Sequence, residues 1–188
     1  MAELRLPPIE QPPSWFLRLA YWLSKRRFRR VLTPLKVIYT RQPALLTLAA
    51  HIEWVRDHRI SIEPSLRLLI ATRASMLNRC AFCQDLALAQ AVGHQVGPER
   101  FAALDEAQTS GNFAERERAA LALVDEITQA GELSAPTFER LRQHFSETEI
   151  IELVWLNAAE NYFNLQAHPL GISSDGLHAL AQTKFGGS

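Results

Sequence analysis

The sequence predicts an all-α protein, and three observations carry that reading. Glycine is scarce, with 8 in 188 residues. No β-branched run with strand alternation is present, while apolar residues recur at helical spacing along the whole chain. Helix-start signals (Ser, Thr or Glu before Pro or before an apolar periodic run) stand in front of those runs.

After a Pro-rich lead to Pro13, Ser14 is placed to cap a first helix through Leu17, Ala20, Tyr21 and Leu23. Thr33-Pro34 reads as the start of a short helix to about Thr40. Pro43 opens a helix through Leu46, Ala49, Ala50 and Trp54. Glu63-Pro64 repeats the signal, with Leu66, Leu69, Ile70, Ala74 and Leu77 as the apolar face. The next helix begins around Cys80 and ends near Gly93, read as the glycine just past its end. Glu115 to Ala130 presents Ala120, Leu123, Val124 and Ile127 on one face and stops at Gly131. Ser134 caps a short helix to about His144. Ser146-Glu147-Thr148-Glu149 has the form of a capping box. The helix behind it, Glu147 to Leu165, is apolar around most of its circumference, which predicts a central position in the core or a place between subunits.

Composition bounds the class. Apolar residues make up 47% and charged residues 21%, which excludes wholesale disorder. The longest apolar stretches, such as Ala44 to Ala50, fall far short of the roughly 18 residues a membrane-spanning helix needs. Pro7, Pro8, Pro12 and Pro13 interrupt any secretion signal, so the cytoplasm is the expected compartment. The formal charge is zero, from 20 Lys and Arg against 20 Asp and Glu, but it is unevenly spread. Residues 1–60 hold eleven basic and four acidic residues, a net +7, and the remainder is −7. Lys25, Arg26, Arg27, Arg29 and Arg30 follow directly on Trp15, Phe16, Tyr21 and Trp22. Such an arm packs its aromatics on the acidic remainder, of its own subunit or a neighbour, or lies on an anionic membrane surface. No groove-reading motif accompanies the charge, so nucleic acid is not the expected partner.

The chemistry centres on Cys80-Ala81-Phe82-Cys83. At a helix start this spacing puts both sulfurs in the first turn. There the partial positive charge of the helix end, with Arg79 beside the first sulfur, favours a thiolate. One thiol can then react with a peroxide while the other resolves its sulfenic acid into a disulfide. Two other readings use the same residues. A zinc site would need about four ligands, and His51, His58, His94, His144, His168 and His178 show no paired spacing to complete it. A pair of small buried hydrophobes, chemically inert, is the other.

The stretch from Arg67 through Ser75-Met-Leu-Asn-Arg-Cys80-Ala-Phe-Cys83 resembles the AhpD-like alkylhydroperoxidase branch of the carboxymuconolactone decarboxylase-like superfamily. Residues Glu115 to Thr128 and Phe145 to Leu153 resemble that family's second helical pair. The resemblance spans roughly residues 60–165. It implies an AhpD-like helical domain over 61–188 behind an N-terminal helical extension over 1–60, assembling as a homo-oligomer. It also implies thiol-based hydroperoxide reduction in which Cys83 attacks, Cys80 resolves, and a dithiol or lipoyl-type carrier returns the electrons. No cofactor or metal is expected. The family's proton relay, a glutamate twelve residues before the first cysteine and a histidine four after the second, falls here on Leu68 and Ala87. Asp85 reads as an acid favouring its own helix dipole; a replacement base could come from His51, Glu160 or His168 on other predicted helices or loops, but the sequence alone brings none of them to the sulfurs. The alternative is a redox-sensing or binding oligomer without peroxidase activity, with the basic aromatic arm as its contact surface.

Overall fold

The computed structural model describes residues 3–94 and 96–185, and its regular elements within them are all helical. In order they are α1 (Trp15–Phe28), a π-helical turn (Leu35–Tyr39), α2 (Pro43–His58), α3 (Pro64–Leu77), α4 (Ala81–Gly93) and α5 (Pro98–Ala102). There follow a 3-10 turn (Leu104–Glu106), α6 (Glu115–Ala130), α7 (Ala135–His144), α8 (Glu147–Ala167), a 3-10 turn (His168–Leu170) and α9 (Leu177–Phe185). No described helix is long and apolar enough to cross a membrane.

Local chemistry sets most of the helix ends. Ser14 Oγ accepts the Leu17 N–H at 3.3 Å, and Ser134 Oγ accepts that of Thr137 at 3.3 Å. The capping box closes in both directions, with Glu149 N–H donating to Ser146 Oγ at 3.3 Å and Ser146 N–H to Glu149 Oε2 at 2.8 Å. Pro43 and Pro64 open α2 and α3, where a missing N–H costs nothing. Gly131 ends α6 at φ 73°, a left-handed conformation that favours glycine.

Four features depart from the sequence reading. The segment after Thr33-Pro34 forms a π-helical turn rather than a regular short helix. Gly93 is the last residue of α4, not the residue beyond it, and His94 is the cap. Helices α5 and α9 carry no strong signal of their own in the sequence. The tryptophans of the arm do not pack inward: Trp15 is 77% exposed and Trp22 is 53% exposed, while Leu17, Tyr21 and Ser24 form the buried face of α1. Tyr21 is the arm's inward anchor, donating from Oη to the Ile9 carbonyl at 2.6 Å and lying 2.9 Å from Thr40 Oγ1. Asp175, from the far end of the chain, accepts the Thr33 N–H at 2.8 Å and its hydroxyl at 2.6 Å.

The core is built around α3, which is buried on nearly all sides, with α6 and α8 packed against it. Leu66, Leu69, Ile70, Leu121, Leu123, Val124 and Leu153 fill its centre. Two polar links fix the register. Glu152 Oε2 on α8 accepts the Ser61 N–H and hydroxyl, both at 2.8 Å, and the Ile62 N–H at 3.2 Å, tying down the entry to α3. Arg73 on α3 reaches Asp125 at 2.6 Å and Asp105 at 2.7 Å. Helix α8 is central on one face only. Ile150, Leu153, Leu156 and Asn157 are buried, whereas Ile151, Val154 and Leu165 are exposed.

This packing ranks two substitutions on α8. Leu153→Ala removes a fully buried side chain and is expected to cost about 2–5 kcal/mol of unfolding free energy. Ser146→Ala removes only the cap and is expected to cost about 1 kcal/mol. Urea denaturation of the two variants checks the order.

Candidate functional site

The cysteine pair sits where α3 hands over to α4, and the backbone of that corner determines its chemistry. Arg79 adopts a left-handed conformation at φ 55°, which costs a non-glycine residue about 1–2 kcal/mol. The conformation lets the corner satisfy two free carbonyls of α3. Arg79 N–H donates to Met76 O at 3.0 Å and Cys80 N–H to Ser75 O at 2.9 Å. Cys80 is thereby delivered as the N-cap of α4, and its Sγ accepts the Cys83 N–H at 3.4 Å. Cys80 and Cys83 are joined by a disulfide, with Cα atoms 5.3 Å apart. Gln84 braces the corner by donating from Nε2 to Ser75 O at 3.2 Å.

The pair is covered. Cys80 is fully buried and Cys83 is 5% exposed. Around them lie Val37 from the N-terminal segment and Ala167, Ile172 and Leu177 from the C-terminal one, with Leu4 and Phe28 packed outside. Asp85 holds this cover in place. It is buried, and its carboxylate accepts the Leu177 N–H and the His178 N–H, each at 2.9 Å, thereby capping α9. Its role is therefore not the favouring of its own helix dipole expected from the sequence, because both oxygens face the start of another helix.

Leu68 and Ala87, at the relay positions, are both buried and apolar. Of the candidate replacements, the structure ties one to the cysteine corner. Glu160 on α8 turns its carboxyl inward, where Oε1 accepts from Ser75 Oγ at 3.0 Å and from Asn164 Nδ2 at 3.1 Å. Burial pushes it up to about 7 against these hydrogen bonds. Ser75 thus carries the Cys80 N–H on its carbonyl and Glu160 on its hydroxyl. His51, on α2, is exposed and stacks on Trp54, and His168 is exposed at the start of its 3-10 turn. Sequence spacing gave no sign that Ser75 is the connecting residue, because its partner lies 85 positions away.

The raised Glu160 carboxyl makes a signed prediction. A group with an ordinary value of 4.5 and a folded value of about 7 holds its proton more tightly when folded. Its contribution is complete below pH 4.5 and is lost as pH rises through 7. Stability measured by urea denaturation at pH 5 and pH 8 is expected to fall by up to about 3 kcal/mol more in the wild type than in Glu160→Gln. Parallel pH profiles in the two proteins would contradict it.

Comparisons with known proteins agree with this architecture. The model of the carboxymuconolactone decarboxylase family matches residues 43–126. The uncharacterized protein YnjA of Escherichia coli (strain K12) is 26% identical over 185 residues, covering 95% of this chain and 98% of that protein. The uncharacterized protein YdfG of Bacillus subtilis (strain 168) is 30% identical over 106 residues, covering 55% of this chain and 72% of its own length. Among solved structures, ATU0492 of Agrobacterium tumefaciens, whose name suggests AhpD-type antioxidant defence, superimposes with a TM-score of 0.69 at 27% identity. That match covers 72% of this chain and 94% of the other. The chain belongs to the carboxymuconolactone decarboxylase-like superfamily and has its AhpD-like, all-helical fold.

Proposed function

We propose that the protein is a thiol-dependent hydroperoxide reductase that cycles through the Cys80–Cys83 disulfide. The observation that carries this reading is the disulfide itself, closed across the first turn of α4 with Cys80 as the cap. Cys83 is the less deeply buried residue of the pair, 5% exposed against 0% for Cys80, and is assigned the attack. Its thiolate takes the terminal oxygen of the hydroperoxide. The O–O bond breaks, Cys83 becomes a sulfenic acid, and the departing alkoxide takes up the proton released when the thiol ionised. Cys80 then attacks the sulfenic sulfur as thiolate, forming the S–S bond and expelling hydroxide, which leaves as water with the second thiol proton. The Cys83 N–H that Cys80 Sγ accepts favours the anionic form of the resolving sulfur. A dithiol or lipoyl-type carrier returns two electrons and two protons, in a cytoplasmic setting. Without the relay residues, proton transfer lacks a side chain typically worth about 10²–10⁴-fold in rate, so a modest turnover is the expectation.

The exposed row Ile151, Val154 and Leu165 supports a second copy of this chain as the partner of α8, because three large apolar side chains on one face gain by being covered.

Two measurements test these readings. Fully reduced protein is mixed with one equivalent of cumene hydroperoxide and free thiols are counted against time. Both thiols are expected to disappear per peroxide consumed, with the reaction abolished in Cys83→Ser. A rate no faster than free cysteine would instead favour a redox-sensing or binding oligomer. For assembly, sedimentation at micromolar concentration is expected to show an oligomer that the double change Ile151→Glu with Val154→Glu reduces to a monomer. A wild-type monomer would overturn that assignment.

A further inference from the structure

A cavity of about 760 Å³ opens between the end of α1, the start of α3 and the flanks of α4 and α9. Its polar lining is strongly biased in sign. Among the described residues, Arg26, Arg27, Arg29, Arg56 and Arg67 border it, against a single carboxylate, Asp57. Asp57 already pairs with Arg56 at 3.4 Å, and Arg56 also bridges Glu53. Among the described residues, no carboxylate comes within salt-bridge distance of Arg26, Arg27, Arg29 or Arg67, while Asp57 and Glu152 act on Arg67, and Glu53 on Arg27, from farther away. Arg26 lies over the Trp22 ring, Arg27 over that of Phe28, and Arg67 donates only to the Arg56 carbonyl. Guanidinium groups gathered around one hollow repel each other until an anion enters, and their planar forks match a carboxylate.

The remaining wall is apolar. Phe28, Leu68, Leu177 and Leu180 line it. Phe28 and Leu177 also pack with the buried cluster that contains Cys80 and Cys83, so the apolar wall is continuous with the cover of the disulfide. Leu68 is itself almost fully buried in that wall. Its side chain keeps that part of the wall uncharged. The cavity has the size of a small-molecule site, with a strongly cationic side facing an apolar one, which suits an anionic head on an apolar body.

We propose that this cavity binds a carboxylate borne on an aliphatic chain, with the head group on Arg27 and Arg67 and the chain laid over Phe28, Leu177 and Leu180. The proposal deepens the hydroperoxide reading by making hydroperoxides of aliphatic carboxylic acids its substrate class. Its test does not depend on that reading.

Dodecanoate, kept below its micelle threshold, is titrated into the oxidised full-length protein by calorimetry. Dodecan-1-ol, dodecyl phosphate, inorganic phosphate and anionic phospholipid vesicles are run in parallel. Saturable dodecanoate binding is expected, weakened about tenfold or more when the carboxylate is replaced by the alcohol. Arg27→Gln and Arg67→Gln are each expected to weaken it by a similar factor, and Leu180→Glu to abolish it, with circular dichroism unchanged. Equal binding of the alcohol, or wild-type affinity in both arginine variants, would overturn the proposal. So would binding of inorganic phosphate, dodecyl phosphate or vesicles in preference to dodecanoate. Consumption of cumene hydroperoxide without dodecanoate binding would remove this inference and leave the thiol cycle standing. Dodecanoate binding without peroxide reduction would do the reverse.

Discussion

Ser75 accepts two hydrogen bonds on its carbonyl, from Cys80 N–H and Gln84 Nε2, and gives one from its hydroxyl to Glu160. This one residue connects α3, the cysteine corner and α8. The carbonyl bond stops α3 with Arg79 in a left-handed turn, and the turn points Cys80 at the free N–H groups of α4. A helix continuing past Asn78 would carry Cys80 and Cys83 on its side, away from any helix end. The sulfurs would then lose both the accepted N–H and the partial positive charge. The site thus depends on a strained turn whose cost is offset by satisfied carbonyls.

Two opposing influences act on the reduced sulfurs. The helix end and the Cys83 N–H favour a thiolate, while burial beneath apolar side chains favours the neutral thiol. For a fully buried group that penalty can reach about 4–7 kcal/mol, which exceeds the roughly 2 kcal/mol a helix end supplies at best. A reactive thiolate therefore requires the cover to loosen, and the cover is made of the segments around Val37 and Leu177. The basic surplus of residues 1–60 has a matching location. Arg26, Arg27 and Arg29 gather at the cavity beside that cover instead of pairing with the acidic remainder.

What the sequence made legible was local. Ser14, Ser134, Ser146 with Glu149, Pro43, Pro64 and Gly131 act within a few residues of their own positions, so the helices they bound were readable. The proximity of Cys80 and Cys83 was readable for the same reason, since one turn of helix brings them together. The rest of the site is assembled over long separations. Glu160 reaches Ser75 from α8, and Asp85 meets the amide of Leu177, so neither role leaves a trace in neighbouring residues. Arg79 in a left-handed turn was hidden because that conformation usually announces itself by glycine. The arm misled for a different reason. Its tryptophans are its largest aromatic side chains, but its inward face is set by Leu17 and by the hydrogen-bonding partners of Tyr21.

The span between Asp85 and Leu177 has a bearing on how the protein is made. Asp85 leaves the ribosome 92 residues before the amide it will accept, an interval of roughly 5–20 s at typical rates of synthesis. For that time α4 has no α9 beside it, and the nascent chain carries its two thiols without half of their shelter. Until α9 docks, Leu177 is missing from the cover over the pair. The shelter of the cysteine pair is therefore completed late in synthesis, by a residue made long after the pair itself.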